Sequence, residues 1–187
     1  MEKLVSERII LGIDPGTVNM GYGLVLEQNK KLKLEALGTL NLSSFETHPD
    51  KLRRIFERTL SLIEQYHPDC LAIEDPFYGK NVQVMLKLGR AQGVAMAAAL
   101  SRDIPIFEYS PKKIKQSITG RGNASKEQVA AMLFQLLQFE QNGELLDATD
   151  GLAVAVCHAF QGSLNTGGKK YTGWESFVKD HPKKLKS

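Results

Sequence analysis

Two acidic residues stand at the ends of short apolar runs, where a folded chain can bring carboxylates together. Asp14 ends the run RIILGID and Glu74 ends the run CLAIE. Each run is typical of a buried strand, and active sites of open α/β sheets lie beyond the carboxyl ends of such strands. If the two strands are neighbours, the carboxylates lie about 5 Å apart, which is one strand spacing. That separation suits side chains that share a metal ion.

Two further acids, Asp147 and Asp150, lie at the start of a helix predicted over 145–160. They are three residues apart and therefore project from one face of the helix. The apolar residues that follow predict that this helix packs on the sheet. Helix capping is the alternative for Asp147, because acids near a helix N-terminus commonly serve that purpose.

Four acids that converge from three elements favour a shared metal site. Hard oxygen ligands select Mg²⁺ or Mn²⁺. Up to two such ions, about 4 Å apart, can activate water and stabilise the departing oxygen in phosphodiester cleavage.

Basic residues are concentrated in one part of the chain. Residues 80–126 contain nine Lys or Arg and two acids, whereas the whole chain has a net charge of only +3. This distribution favours a polyanion as the partner of that third of the chain. Solvated helix faces are the alternative explanation.

The predicted elements place these residues on a mixed sheet. An antiparallel meander is predicted over 8–14, 21–26 and 32–42, followed by parallel strands over 70–74 and 104–109. Helices are predicted over 50–66, 81–100, 111–120, 125–139 and 145–160. The fold class is therefore α/β, with a mixed five-stranded sheet and helices on both faces.

The remaining features indicate one domain in a reducing compartment. We expect residues 1–162 to form the domain and residues 163–187 to form a basic, loosely ordered tail. Cys70 and Cys157 lie far apart in apolar segments and are predicted to be buried free thiols, which suits the cytoplasm. No apolar run approaches the roughly 20 residues that a membrane span requires, so we expect no membrane contact.

Five sequence blocks resemble the RuvC family of Holliday-junction resolvases, which belong to the RNase H-like nucleases. In chain order they are ILGIDPGTVNMGYG, PDCLAIEDPFYGKN, LKLGRAQGVAMAAA, IFEYSPKKIKQSITGRGNASKEQV and DATDGLAVAVCHA. The first block also resembles the turn of sugar kinases and actin-like ATPases, but the five together are specific. The resemblance covers about residues 8–160 and implies an RNase H-like fold.

The resemblance also implies the site and its metals. The acidic tetrad of the family corresponds to Asp14, Glu74, Asp147 and Asp150, with Asp14 as the ligand shared by two Mg²⁺ ions, for which Mn²⁺ substitutes. Asp75, beside Glu74, is predicted to face outward because neighbouring strand residues alternate sides.

DNA contacts follow from the same resemblance. Lys115 and Lys126 match positions at which the family places lysines against the DNA backbone. Phe77 matches an aromatic residue that stacks on an unpaired base near the crossover, and covering the core edge is its alternative role. Lys80 and Arg121, in the same basic part of the chain, are further candidates.

The implied activity is paired nicking of four-way DNA junctions by a homodimer, which leaves 5′-phosphate and 3′-hydroxyl ends. A branch-migration complex of RuvA and RuvB is the implied partner. Helix 81–100, with its small residues, is the candidate two-fold contact.

Three other functions remain as alternatives. A sugar kinase or actin-like ATPase requires two duplicated lobes, for which this chain has neither the length nor the repeat. A junction-binding protein that does not cut is disfavoured by the intact tetrad. A YqgF-like nuclease acting on RNA is disfavoured by the long basic block that ends at Lys126.

Overall fold

A computed structural model describes residues 7–76, 81–139 and 146–164, the last three of them as backbone only. The strands are β1 (Glu7–Asp14), β2 (Asn19–Gln28), β3 (Lys31–Asn41), β4 (Cys70–Glu74) and β5 (Ile106–Tyr109). The helices are α1 (His48–Tyr66), α2 (Val82–Leu100), α3 (Pro111–Thr119), α4 (Lys126–Leu137) and α5 (Leu146–Leu164). Every predicted strand and helix is present, with ends that differ by a few residues. The predicted tail from residue 165 onward lies outside the described residues.

The five strands form one mixed sheet, as predicted. Their order is β3-β2-β1-β4-β5. The first three strands pair antiparallel, whereas β4 pairs parallel to both β1 and β5. Ile13 of β1 pairs with Ile73 of β4, so the acids that follow them, Asp14 and Glu74, end adjacent strands at the same edge of the sheet.

Helices cover both faces of the sheet, which confirms the predicted layers. Leu11 and Ile73 point to the face covered by α1 and α2, whereas Ile10 and Ala72 point to the face covered by α3, α4 and α5. All four of these side chains are completely buried. The central strands are apolar throughout because each of their faces packs against helices.

The starts of α3 and α4 are fixed by capping residues. Ser110 caps α3, and Gly120 ends it with a φ of +74°, in the left-handed region that favours glycine. Ser125, the predicted N-cap, forms a reciprocal capping box with Gln128 at the start of α4. These caps set the positions of Lys115 in α3 and Lys126 at the first residue of α4.

Helix α5 lies unusually close to β1 and β2, because glycines face each other across the contact. A Cβ on Gly151 would lie 2.5 Å from both the carbonyl oxygen of Gly21 and the Cα of Tyr22. A Cβ on Gly12 would lie 2.5 Å from the backbone nitrogen of Ala155. Both distances are too short for any real side chain. The close packing of α5 on these strands places its first turn at the edge where Asp14 ends β1.

The small residues of α2 occupy two faces of the helix. Ala91, Ala95 and Ala99 are buried in the core of the same chain. The opposite face is exposed and consists of Val82, Leu86, Gly89, Gly93, Ala97 and Leu100. We call these six residues the α2 stripe. The predicted two-fold contact on helix 81–100 stays a prediction, and the α2 stripe is the face of that helix that could make it, because Ala91, Ala95 and Ala99 pack inside the chain.

The two cysteines are buried and free, as predicted. Burial raises the pKa of the Cys70 thiol to about 11, which keeps it protonated and unreactive. Within the described residues, every helix is too short or too polar to cross a bilayer.

Candidate active site

Three of the four predicted acids line one cavity at the carboxyl ends of the central strands. The cavity has a volume of about 160 Å³ and contains Asp14, Glu74 and Asp150 in its wall. Lys115 of α3 and Lys126 of α4 line the same cavity. The acids and the predicted phosphate-binding lysines therefore share one site.

The fourth acid, Asp147, lies close to this cavity but does not line it. Its Oδ2 accepts a hydrogen bond of 2.7 Å from the side-chain amide of Asn19, the first residue of β2. Burial and the charge of Asp150 raise the pKa of Asp14, and the charge of Asp147 adds to this effect. Asp147 is thus part of the same electrostatic environment, held from the side by β2.

Burial and mutual repulsion disfavour the ionised form of these acids. Burial raises the pKa of Asp14 well above its ordinary value, and Asp150 and Asp147 raise it further. Burial likewise raises the pKa of Glu74, with Asp14 and Asp150 adding to the effect. A cation in the cavity would relieve both the desolvation and the repulsion.

Lys126 supplies one such cation from the protein itself. Its Nζ lies 2.5 Å from Oδ2 of Asp150. Burial alone would lower the pKa of Lys126, but the hydrogen bond and the charge of Asp150 raise it overall. The side chain of Lys126 is 58% exposed, so this contact is with the rim of the cavity rather than its floor.

Lys115 connects the acid cavity to a larger groove. That groove has a volume of about 730 Å³ and is lined by Pro111, Lys112, Lys115, Gly122 and Asn123. Pro111 and Lys115 line both spaces. A polyanion lying in the groove would therefore pass directly beside the acids.

The donor set fits a hard divalent cation, although a complete coordination shell is not preformed. The cavity offers carboxylate oxygens, which are the ligands that Mg²⁺ and Mn²⁺ prefer. Within the ranges 7–76, 81–139 and 146–164, however, no three His, Cys, Asp or Glu side chains are already close enough to hold a metal ion. Mg²⁺ is usually held by one or two carboxylates together with waters and substrate phosphates, which this cavity could provide.

The other predicted residues are less central. Arg121 is exposed in the loop after α3 and lines neither cavity, although the adjacent Gly122 lines the groove. Phe77 and Lys80 lie outside the described residues.

Asp75 is exposed, as predicted. It also lines a second small cavity with Asp14 and Glu74, bordered by Leu88 of α2.

Sequence reasoning missed two contributors to the site. Asn19 lies inside the first sequence block, but nothing in that block shows that its amide meets an acid 128 residues further along the chain. The facing glycines were visible in the sequence, yet only the packing of α5 on β1 and β2 shows their purpose.

The fold and the site together define an RNase H-like protein with an acidic site at the end of its central strand. The profile of the RuvC family, described as crossover junction endodeoxyribonuclease RuvC, matches residues 10–158. The chain belongs to the RuvC family.

Relatives and solved structures agree with this membership. The crossover junction endodeoxyribonuclease RuvC of Christiangramia forsetii is 61% identical over 183 residues, which cover 98% of this chain and 95% of the relative. The corresponding protein of Bacteroides fragilis is 58% identical, over 97% of this chain and 98% of the relative. The structure of Thermus thermophilus RuvC in complex with a Holliday junction substrate has a TM-score of 0.75 and 30% identity, covering 85% of this chain and 97% of that one.

Proposed function

We propose that this protein is a divalent-metal-dependent endonuclease that resolves four-way DNA junctions. The observation that carries the proposal is the cavity in which Asp14, Glu74 and Asp150 meet Lys115 and Lys126. Carboxylates in such a cavity suit metal-assisted hydrolysis, and lysines beside them suit a phosphodiester substrate. Membership of the RuvC family and the likeness to a RuvC bound to a Holliday junction support the choice of substrate.

The acids and the groove would have different roles in the reaction. Asp14, Glu74, Asp147 and Asp150 would hold up to two Mg²⁺ ions, which supply an activated water and neutralise the leaving oxygen. The groove between Lys112 and Asn123 would hold the strand next to the scissile phosphate. Hydrolysis then leaves 5′-phosphate and 3′-hydroxyl ends.

Lys126 can exchange Asp150 for a phosphate of the DNA only if another cation replaces it. The side chain of Lys126 is 58% exposed, but that of Asp150 is only 16% exposed, and a largely buried carboxylate is costly without a partner. A metal ion bound to Asp150 would supply that partner and would release the ammonium group for the phosphate.

A junction assay tests the proposal directly. A synthetic four-way junction and a linear duplex of the same arm sequences are incubated with the protein, with Mg²⁺ or with EDTA. We expect cleavage of the junction only, and only with Mg²⁺. Junction binding without cleavage would favour a binding protein, and preferential cutting of RNA would favour the YqgF-like alternative.

Replacing Lys115 with Ala should weaken junction binding and reduce its salt dependence. Lys115 lines both the acid cavity and the groove. The slope of log K against log salt is negative, and each lost phosphate contact makes it shallower by about 0.9. Binding at several salt concentrations, measured by fluorescence anisotropy in Ca²⁺, gives the slope.

The control for Lys115 is Lys31→Ala, which removes the same charge at the opposite end of the sheet. Lys31 begins β3 beside Gln28 and is exposed. The control should leave the slope unchanged. An unaltered slope in Lys115→Ala would remove Lys115 from the DNA surface.

We also propose that the chain forms a homodimer through the α2 stripe. Val82 is 66% exposed, Leu86 is 50% exposed and Leu100 is 63% exposed. Large apolar side chains aligned on one helix face are typical of an interaction surface. The glycines between them would let the backbones of two α2 helices approach closely around a two-fold axis.

Gly93→Arg should convert the dimer to a monomer without unfolding the chain. Apart from the neighbouring residues and the backbone of α2 itself, no atom lies within 4 Å of a Cβ built at Gly93, so the fold accepts the arginine. A two-fold contact would place two arginines against each other. Analytical ultracentrifugation measures the mass, and the junction assay should show loss of paired nicks. Gln135→Arg, on the exposed face of α4, is the control. A Gly93→Arg protein that remains dimeric would show that the α2 stripe is not the two-fold contact.

Four further predictions belong to the proposed function. RuvA and RuvB are the proposed partners, as the family resemblance implies. Phe77 and Lys80 are proposed DNA contacts near the crossover. Localisation in the cytoplasm and the division at residues 162 and 163 also remain predictions.

A further inference from the structure

Asn19 is the one described side chain that the structure records as hydrogen-bonded to Asp147. Its Nδ2 donates to Oδ2 of Asp147 over 2.7 Å, and the contact is partly buried. Asp147 lies in the first turn of α5, so this bond ties the start of the helix to the start of β2.

The backbone of Asn19 is held firmly. It pairs with Asn41 of β3 as the first residue of β2. The turn before it is tight, because a Cβ on Gly16 would lie 2.9 Å from the carbonyl carbon of Asn19. The turn that follows Asp14 therefore delivers a donor at a fixed place, only five residues after the central acid.

The chemistry of the donor differs between the two acids of α5. Asp150 is paired with the ammonium group of Lys126, which neutralises charge. An amide orients Asp147 without neutralising it, so the full negative charge remains available to a cation. Residues that orient metal ligands in this way typically change metal affinity or activity 10- to 100-fold when they are replaced.

We propose that Asn19 is a positioning residue that orients the Asp147 carboxylate for a divalent metal ion. This inference rests on the proposed function, in which Asp147 is a metal ligand. The segment from Asp14 to Asn19 then positions two acids of the site, one directly and one through a hydrogen bond.

Two substitutions at Asn19 test the donor without adding a charge. Asn19→Ala removes the side chain together with its donor. Asn19→Leu keeps most of the volume of the side chain and removes the donor. Mn²⁺ affinity of the protein without DNA, measured by calorimetry, and the Mg²⁺ concentration that gives half-maximal junction cleavage are the readouts.

We expect Asn19→Ala to weaken Mn²⁺ binding and to raise the half-maximal Mg²⁺ concentration by about 10- to 100-fold. Junction affinity in Ca²⁺ and the cleavage rate at saturating Mg²⁺ should stay within about threefold of the unaltered protein. Asn19→Leu should weaken Mn²⁺ binding as Asn19→Ala does, because restoring the volume of the side chain without the donor should not restore Mn²⁺ affinity.

A double-substitution cycle distinguishes this inference from the proposed function. Asp147→Asn alone should weaken Mn²⁺ binding, and adding Asn19→Ala should then cause no further loss. If Asp147→Asn leaves Mn²⁺ binding and cleavage intact, the role of Asp147 in the proposed function is wrong. If Asp147→Asn is impaired but Asn19→Ala changes only thermal stability or maximal rate, with unchanged metal dependence, the positioning role of Asn19 is wrong.

Discussion

Asp14→Asn should lower the rate of junction cleavage by about 1,000-fold or more and leave junction binding nearly unchanged. Asp14 ends β1, the central strand of the sheet, and lines the cavity that also contains Glu74 and Asp150. Losing this ligand removes several kcal/mol of transition-state stabilisation, and each 1.36 kcal/mol corresponds to about tenfold in rate. The lysines of the groove, which would bind the phosphates, are unaffected by the change.

The substitution should not unfold the protein, which keeps the result interpretable. Asparagine has nearly the same shape as aspartate and removes a buried negative charge from a group of acids that repel one another. We therefore expect the free energy of unfolding in EDTA to be equal to or higher than that of the unaltered protein. Chemical denaturation followed by circular dichroism measures it.

The control for Asp14→Asn is Asp103→Asn, which removes an exposed acid before β5, at the opposite edge of the parallel strands. Cleavage and binding by this variant should stay close to those of the unaltered protein. The assignment of Asp14 would be overturned by Mg²⁺-dependent cleavage within tenfold of normal in Asp14→Asn.

The pair of strand-end acids could be predicted because the signal is local. The runs that end at Asp14 and Glu74 are apolar on both faces, and each is too short for anything but a buried strand. The prediction that these two carboxylates lie at one site requires their strands to be neighbours. The parallel pairing of β1 with β4 meets this requirement.

The partners of the α5 acids could not be predicted, because those contacts join distant parts of the chain. Asn19 meets Asp147 only after β2 pairs in the sheet and α5 packs across it. Lys126 meets Asp150 only because α4 begins at the same edge of the sheet. Sequence spacing contains no information about either contact.

The α2 helix shows a different limit of sequence reasoning. Its small and apolar residues occur on nearly all sides, so periodicity does not distinguish an inner from an outer face. Packing against α1 and the sheet buries Ala91 and Ala95 and leaves Gly93 and Ala97 exposed.

Gly151→Ala should impair both folding and cleavage, although alanine is the better helix former. In an open helix the change would stabilise by up to about 1 kcal/mol. Here the added Cβ would lie 2.5 Å from backbone atoms of Gly21 and Tyr22, and backbone in the middle of a sheet cannot move aside. Overpacking of this kind typically costs about 1–3 kcal/mol, so we expect net destabilisation in thermal and chemical unfolding.

The effect on cleavage follows from which part of α5 must move. The clash pushes the helix away from β1 and β2, and Asp147 and Asp150 move with it, whereas Asp14 and Glu74 stay on the strands. Because a displacement of about 1 Å can cost 100-fold in rate, we expect at least that loss at a temperature where the variant is folded.

Gly122→Ala is the matched control for stability. Its Cβ would meet chiefly the flexible side chain of Lys112, so the change should alter the free energy of unfolding by less than about 1 kcal/mol. A Gly151→Ala protein with normal stability and normal cleavage would mean that the close packing of α5 does not hold its two acids in place.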